Sequence, residues 1–458
     1  MAQAFFGGVH PHDMKAATNE KAIEQLAPPA VVVIPMSMHF GAPCTPLVKA
    51  GDHVKVGQKI GEFHGLGAPI HASVSGTVKA VEPPPPIPWA ATSTSVVIEN
   101  DMQDEVSEEV QAPADPNALS VEEMVEIVKN AGIVGMGGAT FPTHVKITSG
   151  IGKVNTVIIN GAECEPYITG DHRTMLERPE EIIGGAKFLA KMFGVDKVVI
   201  GVEDNKRNGI DAMNKVIAEQ KAPVVVEPLR CRYPQGGEKQ LCQAITGRQV
   251  PPGGLPADIG CAVFNINTTC AIYRALTTGM PVVRKIVTVS GSGVVEPKNL
   301  ECPIGTPVSN LLDACGGLKD GTYKLIAGGP MMGMAQYTAD ISVAKGTGAI
   351  LAFCENEEKT VENPQCIRCG KCVSVCPMHL EPLFMYQYAS KGMVEELNDA
   401  HIMDCMECGA CSYICPARMH LTHMFKTGKQ LVKDKAAADR AAAEAKKKAE
   451  EAKEAAAK

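Results

Sequence analysis

Residues 366–377 read CIRCGKCVSVCP, and residues 405–416 read CMECGACSYICP. Each stretch has the form C-x2-C-x2-C-x3-C-P, the spacing with which a short looped backbone offers thiolates to an iron–sulfur cluster. In a pair of such runs the fourth cysteine is carried away and ligates the other cluster. The spacing therefore predicts two [4Fe–4S] clusters with crossed ligand sets. One is Cys366, Cys369, Cys372 and Cys415; the other is Cys405, Cys408, Cys411 and Cys376. Gly370 and Gly409 suit the tight backbone between ligands, and Pro377 and Pro416 fix the chain after the last cysteine. Zinc is the rival metal, but zinc ribbons use pairs of C-x2-C, without a third cysteine and x3-C-P. The intervening LEPLFMYQYASKGMVEELNDAH (380–401) reads as one helix that spaces the two runs.

A chain of 458 residues is too long for one small domain, and length alone suggests roughly three domains at about 150 residues each. Hydrophobic content of 45% supports real cores, and the net charge of −7 argues against a nucleic-acid partner, which selects for a basic face. No stretch reaches the roughly 18 consecutive apolar residues that span a bilayer. The N-terminal MAQAFFGGVHPHDMK lacks the charged-then-apolar layout of a secretory signal. The chain is expected to be soluble by itself, and to reach a membrane only through a partner. Nine further cysteines (44, 164, 231, 242, 261, 270, 302, 315 and 354) follow no spacing rule. Disulfide frameworks belong to short secreted chains, so a reducing compartment and mostly buried, small apolar thiols are expected.

Upstream, SVEEMVEIVKNAG (120–132) has helical periodicity and starts with a capping box, Ser120 with Glu123. It leads into IVGMGGATFPTHVKI (133–147), where Gly132, Gly135, Gly137 and Gly138 would let a backbone approach a phosphate closely. Strand-like runs at 153–161, 196–202 and 223–229 alternate with helix-like runs at 179–193 and 205–221, which argues a parallel sheet. Ligands gather at the carboxyl ends of such strands, and Asn160, Glu163 and Glu165 fall at one of them.

GMGGATFPTHVK (135–146), NGAECEP (160–166), YPQGGEKQL (233–241) and NINT (265–268) together resemble the FMN- and NADH-binding subunit of respiratory complex I. Over about residues 1–430 the chain more closely resembles the C subunits of Rnf complexes, membrane-bound ferredoxin:NAD oxidoreductases. The resemblance implies that Gly135, Gly137, Gly138 and Lys146 hold FMN, with Phe141 in the same loop. It implies that Asn160 contacts the flavin; Glu163, at the same strand end, is expected in the cofactor site from that position. Glu165 and Glu238 would be the acidic, catalytic residues next to flavin and nicotinamide, and Asn265 and Thr268 would close around the phosphate. Three positions depart from the complex I pattern. Ala162 stands in place of an aspartate, Gly237 in place of the first of two glutamates, and Thr140 in place of a loop glycine.

The fold class that follows is multidomain α/β. Residues 1–98 resemble a biotinyl/lipoyl-like β-barrel, and 99–119, with the Pro-rich 83–88, read as linker. Residues 120–284 form the complex I flavin-subunit-like, Rossmann-type domain; 285–350 resemble a β-grasp SLBB domain; 351–432 form a ferredoxin-like helical domain. The tail 433–458, alanine-rich with eight basic and six acidic side chains, favours a helix. The barrel's hairpin tip, HASVSG (71–76), carries no lysine to modify, so a docking or structural barrel is expected rather than a swinging arm. His10 and His12, in GGVHPHDMK (7–15), read as structural or docking residues.

The resemblance implies an NAD(H)-handling subunit that passes electrons between two [4Fe–4S] clusters and NAD through FMN, coupled in the whole complex to sodium or proton translocation. Its partners would be the other Rnf subunits, namely the iron–sulfur B subunit and the membrane-embedded D and G subunits, with ferredoxin reached indirectly. Its place would be the cytoplasmic face of the membrane. The alternatives are a related cobalamin reductase, the flavin subunit of a soluble NAD-linked hydrogenase or formate dehydrogenase, and a non-catalytic electron-carrying scaffold. Barrel-first order separates the chain from the first two.

Overall fold

A computed structural model describes residues 5–82, 94–354 and 361–456, with side chains through residue 448. The linker reading of 83–88 lies outside the described residues. The chain forms two compact units. One comprises Pro11–Val250 and Gly254–Glu358, and the other Phe5–His10, Pro251–Gly253 and Lys359–Lys458.

In the first unit, two small antiparallel sheets make the barrel. One runs in the order Val31–Pro35, Ser95–Asn100, Gly76–Glu82, His53–Val54; the other is Thr45–Pro46, Lys59–Glu62, Ile70–His71. Alternate side chains point inward along a strand: Val32, Ile34, Ile60, Val78, Val96 and Ile98 are buried. The hairpin tip 71–76 is buried throughout, and the Ser73 hydroxyl donates to the Ile304 carbonyl. A tip clamped under the neighbouring domain cannot swing, as expected of a structural barrel. Part of 99–119, read as linker, instead lies along the barrel: the Ser107 amide donates to the Val56 carbonyl at 2.9 Å.

The glycine-rich loop belongs to a four-stranded sheet ordered Val224–Leu229, Val198–Glu203, Thr156–Gly161, Cys261–Asn265. All its pairings are parallel. Its strands read as continuous β-branched runs because helices cover both faces. Ser120 and Glu123 form the capping box, with amide-to-side-chain distances of 2.8 and 3.2 Å. Next comes a six-stranded sheet with its own core of Val287, Leu300, Leu311, Val343 and Ile350. It extends in sequence to strand Ala349–Cys354, and one of its two edges is Ile23–Gln25, which pairs in parallel with Lys298–Pro303. The N-terminal stretch thus supplies a strand to this sheet, a contact with no local sequence signal.

In the second unit the two cysteine runs repeat one backbone conformation 39 positions apart. Left-handed φ occurs at Arg368 and Glu407 (56° and 57°), at Gly370 and Gly409 (75° and 78°), and at His379 and Arg418 (both 55°). The segment 380–401 is not one helix. It is two, Pro382–Ser390 and Val394–Asp399, broken at Gly392, whose φ is +67°; that conformation suits glycine and stops a right-handed helix. Leu421–Ala456 is one helix. Leu421, Phe425 and Val432 pack into the unit, and the alanine-, lysine- and glutamate-rich turns beyond are exposed through residue 448.

Candidate functional site

From strand Thr156–Gly161 the chain builds the sheet to one side, through Val198–Glu203 to Val224–Leu229, then returns to place Cys261–Asn265 on the other side. The connections therefore diverge between Thr156–Gly161 and Cys261–Asn265, and the crevice outside the carboxyl ends of such a strand pair is where open α/β sheets bind ligands. Asn160 and Asn265 stand opposite each other there, in register.

The loop 132–142 closes on itself, with the Gly135 amide donating to the Phe141 carbonyl at 2.9 Å and the Thr143 amide to the Ile133 carbonyl at 3.0 Å. Both peptide groups of Met136 are held. Its amide donates to the Thr268 hydroxyl at 2.9 Å, and its carbonyl accepts from Lys285 Nζ at 3.1 Å. A Cβ on Gly137 would lie 2.9 Å from Asn265 Nδ2, so packing requires glycine there. A Cβ on Gly135 would meet nothing nearer than 3.7 Å, and one on Gly138 nothing within 4 Å. Neither has a positive φ. Fold alone does not demand glycine at 135 and 138, which fits a cradle kept clear for a close-lying ligand. Thr140, at the departing position, adopts φ +50°, a conformation costly for a β-branched residue and natural for the glycine of the complex I pattern.

Asn265 caps helix Ile266–Thr278, accepting from the Asn267 amide at 2.9 Å, and its Nδ2 donates to Asp171 Oδ2 at 2.8 Å. Asn267 Nδ2 donates to the other oxygen of Asp171. Burial raises the pKa of Asp171, and Lys285 opposes that rise. Sequence reading missed Asp171 and Lys285, which lie in no motif. Asn160 spends both ends of its amide on the chain, donating to the Gly236 carbonyl at 2.8 Å and accepting from the Ala162 amide at 3.1 Å. Lys146 pairs with Glu238 at 2.5 Å, donates to the Val263 carbonyl at 3.0 Å and lies 5.8 Å from the Phe264 ring centroid. Glu238 is the first residue of helix Glu238–Thr246, where the helix dipole favours a carboxylate. Phe141 lies 6.0 Å from Phe40 of the barrel, and Phe40 is exposed.

Glu163 and Glu165 follow the strand. Glu163 accepts from the Asp171 amide at 2.7 Å and faces Lys15 at 3.6 Å; burial holds its carboxyl at about 7. Glu165 accepts from the amides of Met331 and Met332 at 3.1 and 3.0 Å, and burial holds it too at about 7. Glu165 and Glu238 are thus held by different partners, the first by the loop 328–333 and the second by Lys146. A crevice at diverging strands, a glycine cradle, a helix N-terminus and a lysine fit a flavin mononucleotide.

The cysteines fall into two groups. Cys376, Cys405, Cys408 and Cys411 line one pocket with Pro377, Met385 and Phe425. Burial, then the crowding of neighbouring thiols, pushes Cys405 up to about 11 and Cys408 and Cys411 to about 12. A cationic cluster core relieves that crowding, because it binds thiolates. Cys372 feels Cys415 and Cys366. Cys376 thus stands with the second run, and Cys415 near Cys366 and Cys372 of the first. Backbone amides donate to sulfur at Cys366, Cys376 and Cys405, each at 3.4 Å, an interaction that tunes cluster potential. Phe5–His10 packs on the fourth cysteine of the first run. The Gly8 amide donates to the Val375 carbonyl at 2.8 Å, Phe6 stacks on His379 at 4.4 Å, and a Cβ on Gly7 would lie 2.7 Å from the Val375 carbonyl. Among the described residues no three His, Cys, Asp or Glu side chains converge on a single metal ion.

Four family models match in sequence. They are an RnfC barrel sandwich hybrid domain (3–103), a Nuo51 FMN-binding domain (128–274), an SLBB domain (286–335) and a 4Fe-4S dicluster domain (359–416). The dicluster match decides against zinc, and the barrel stands first. The C subunit of the Na(+)-translocating ferredoxin:NAD(+) oxidoreductase complex of Acetobacterium woodii is 44% identical over 87% of this chain and 90% of its own. The C subunit of the proton-translocating complex of Clostridium ljungdahlii is 43% identical over 88% of each. The C subunit of an ion-translocating oxidoreductase complex of Salmonella arizonae is 39% identical over 87% of this chain and 59% of its own. Among solved structures, the H2-reduced NAD+-reducing [NiFe]-hydrogenase aligns with a TM-score of 0.48 and 18% identity over 69% of this chain and 64% of that one. The chain belongs to the family of C subunits of ion-translocating ferredoxin:NAD(+) oxidoreductase complexes, the Rnf complexes.

Proposed function

We propose that this chain is the NAD(H)-handling electron-transfer subunit of an Rnf complex, exchanging electrons between NAD and its partner subunits in support of ion translocation. The carrying observation is one chain with a glycine loop at diverging strand ends and, in its second unit, a pocket that Cys376 of the first cysteine run lines together with Cys405, Cys408 and Cys411 of the second. When bound, FMN exchanges electrons with nicotinamide in pairs and with iron–sulfur clusters singly, the chemistry that joins the two sites. The chain's own residues supply binding and electrostatics. Gly135, Gly137 and Gly138 would admit FMN to the crevice, with Phe141 flanking the loop. Asn265 and Thr268 would fix the helix N-terminus and loop around the phosphate. Lys146 would offer its cation, shared with Glu238, and Asn160 and Glu163 would border the flavin edge. Glu165, half-charged near neutrality through burial, would stand beside the nicotinamide with Glu238. The eight cysteines would hold the clusters in the crossed sets.

The first set offers exposed Cys366 and Cys369, whereas Cys376, Cys408 and Cys411 of the second are buried. That asymmetry supports exchange with an iron–sulfur partner through the first set, for which the complex's iron–sulfur B subunit is the candidate. Among the described residues no helix is long and apolar enough to cross a membrane. We therefore assign translocation to membrane partners, the D and G subunits among them, with ferredoxin reached through the complex and this chain at the cytoplasmic face. The FMN-loaded chain is expected to oxidise NADH with ferricyanide as acceptor. A chain that binds FMN stoichiometrically yet leaves NADH unoxidised contradicts the proposal.

A further inference from the structure

The segment GGVHPHDMK (7–15) supplies no cradle residue and no thiol, yet its last residue reaches the strand end that carries Glu163 and Glu165. Lys15 is 5% exposed. Its ammonium donates to the Glu165 carbonyl at 3.0 Å and to the Ile168 carbonyl, and it faces Glu163 Oε2 at 3.6 Å. Two of its donors meet carbonyls and its charge faces a buried carboxylate oxygen that has no hydrogen-bond partner among the described residues, all within the turn between strand Thr156–Gly161 and helix Gly170–Glu177. That turn has no regular backbone pairing of its own and contains a strained residue, Tyr167 at φ +70°. The Tyr167 amide donates to the Asp13 carbonyl at 2.8 Å. Behind it, the side chains of Thr18, Thr169, Thr288 and Asn299 form a buried network, with hydroxyl-to-oxygen distances of 2.8 to 2.9 Å. Residues 13–18 therefore fix the backbone beneath Glu165 from one side. From the other side the amides of Met331 and Met332 fix its carboxylate. Gly329 makes room, since a Cβ there would lie 2.2 Å from Glu165 Oε2.

A buried ammonium is an expensive way to brace a turn, because an apolar side chain fills space without a desolvation penalty. What a lysine adds is a directional hold on two carbonyls and a positive charge beside two acids. We propose that Lys15 is a positioning residue of the dinucleotide site, acting through Glu165. The inference rests on the reading of Glu165 as the acid beside the nicotinamide.

The test uses the full chain reconstituted with FMN and clusters, assayed for NADH oxidation with ferricyanide. The variants are Glu165→Gln, Lys15→Met, Lys15→Arg and the double variant Lys15→Met/Glu165→Gln. FMN content and thermal midpoint are measured for each. Misplacement of a positioned group by about 1 Å costs up to roughly a hundredfold in rate. Lys15→Met is accordingly expected to raise KM for NADH about tenfold or more, with FMN content unchanged. In the Glu165→Gln background it is expected to add nothing further, because a residue that acts through another is not additive with it. Lys15→Arg, which keeps the charge with altered reach, is expected to fall between wild type and Lys15→Met. A Lys15→Met protein with a lowered thermal midpoint and unchanged KM overturns the proposal, as does an effect that adds in full to that of Glu165→Gln. Should Lys15→Met not fold, Lys15→Arg decides by the same KM reading. An unchanged KM in Glu165→Gln alone refutes the reading of Glu165, and the role of Lys15 with it. That outcome is distinct from one in which Glu165→Gln acts and Lys15→Met does not.

Discussion

Alanine at Gly137 and alanine at Gly138 are neighbouring changes with opposite expected consequences. At Gly137 the new Cβ would sit 2.9 Å from Asn265 Nδ2 and 3.0 Å from its Cβ and Cγ, so the asparagine must move. Moving it removes the cap on the Asn267 amide and the bond to Asp171 Oδ2. A lost N-cap costs about 1 kcal/mol, a lost bond to a buried carboxylate about 1–3, and the stiffer unfolded chain returns about 0.4–1, leaving a net loss of roughly 1–4 kcal/mol. This loss appears in the FMN-free protein. At Gly138 the new methyl meets no atom of the chain within 4 Å, and the backbone is outside the left-handed region. The FMN-free protein is therefore expected to be unchanged or stabilised by about 0.4–1 kcal/mol. If the loop cradles FMN, the methyl overlaps the ligand at about 1–3 kcal/mol, which is roughly a 5- to 150-fold weaker Kd. Quenching of flavin fluorescence on titration measures the second quantity, and urea denaturation of FMN-free protein measures the first. A Gly138→Ala protein that binds FMN as tightly as wild type refutes the reasoning that this glycine is kept for a ligand. A Gly137→Ala protein of full stability refutes the packing account.

The acids and the thiols give further expectations. Burial raises Glu163 from 4.5 to about 7. The folded state therefore binds more protons than the unfolded between these values, and stability falls as pH rises from about 4.5 to about 7. The total is on the order of 3 kcal/mol. Glu163→Gln is expected to flatten the decline of the urea midpoint between pH 5 and 8 relative to wild type; parallel declines would contradict this. For the thiols, Cys376→Ser combined with Cys408→Ser is expected to lose no more iron than either change alone. Cys376→Ser combined with Cys369→Ser is expected to remove both clusters, and the reverse pattern by iron analysis would show uncrossed ligation.

Much of this arrangement is legible in sequence because it is carried by local, periodic signals. The alternation of β-branched runs with helix-like runs predicts a parallel sheet and three of its strands, whereas the fourth, Cys261–Asn265, which sets Asn265 beside Asn160, is not read from the pattern. The capping box at Ser120 is a four-residue signal and forms as read. The repeated φ pattern of the two cysteine runs is written in their glycines and spacing. What escapes the sequence is non-local or lacks a motif. Lys15 and Glu163 are 148 positions apart, and a lone lysine gives no hint that it is buried. Asp171 and Lys285 are single charges whose role is to satisfy Asn265, Asn267 and the Met136 carbonyl. The strand Ile23–Gln25 is three residues long, too short for a period to show, and only its partner 276 positions away gives it a sheet. The break in 380–401 is visible as Gly392, but the apolar pattern on either side masks it.

The most direct measurement is an anaerobic titration of the chain reconstituted with iron, sulfide and FMN, adding NADH while following flavin absorbance and cluster EPR. An electron path from NAD through FMN to the clusters predicts loss of flavin absorbance together with reduced-cluster signals, and no cluster reduction by NADH when FMN is withheld. Cluster reduction that proceeds equally without FMN, or clusters that stay oxidised while the flavin is fully reduced by NADH and poised below their potentials, would contradict it.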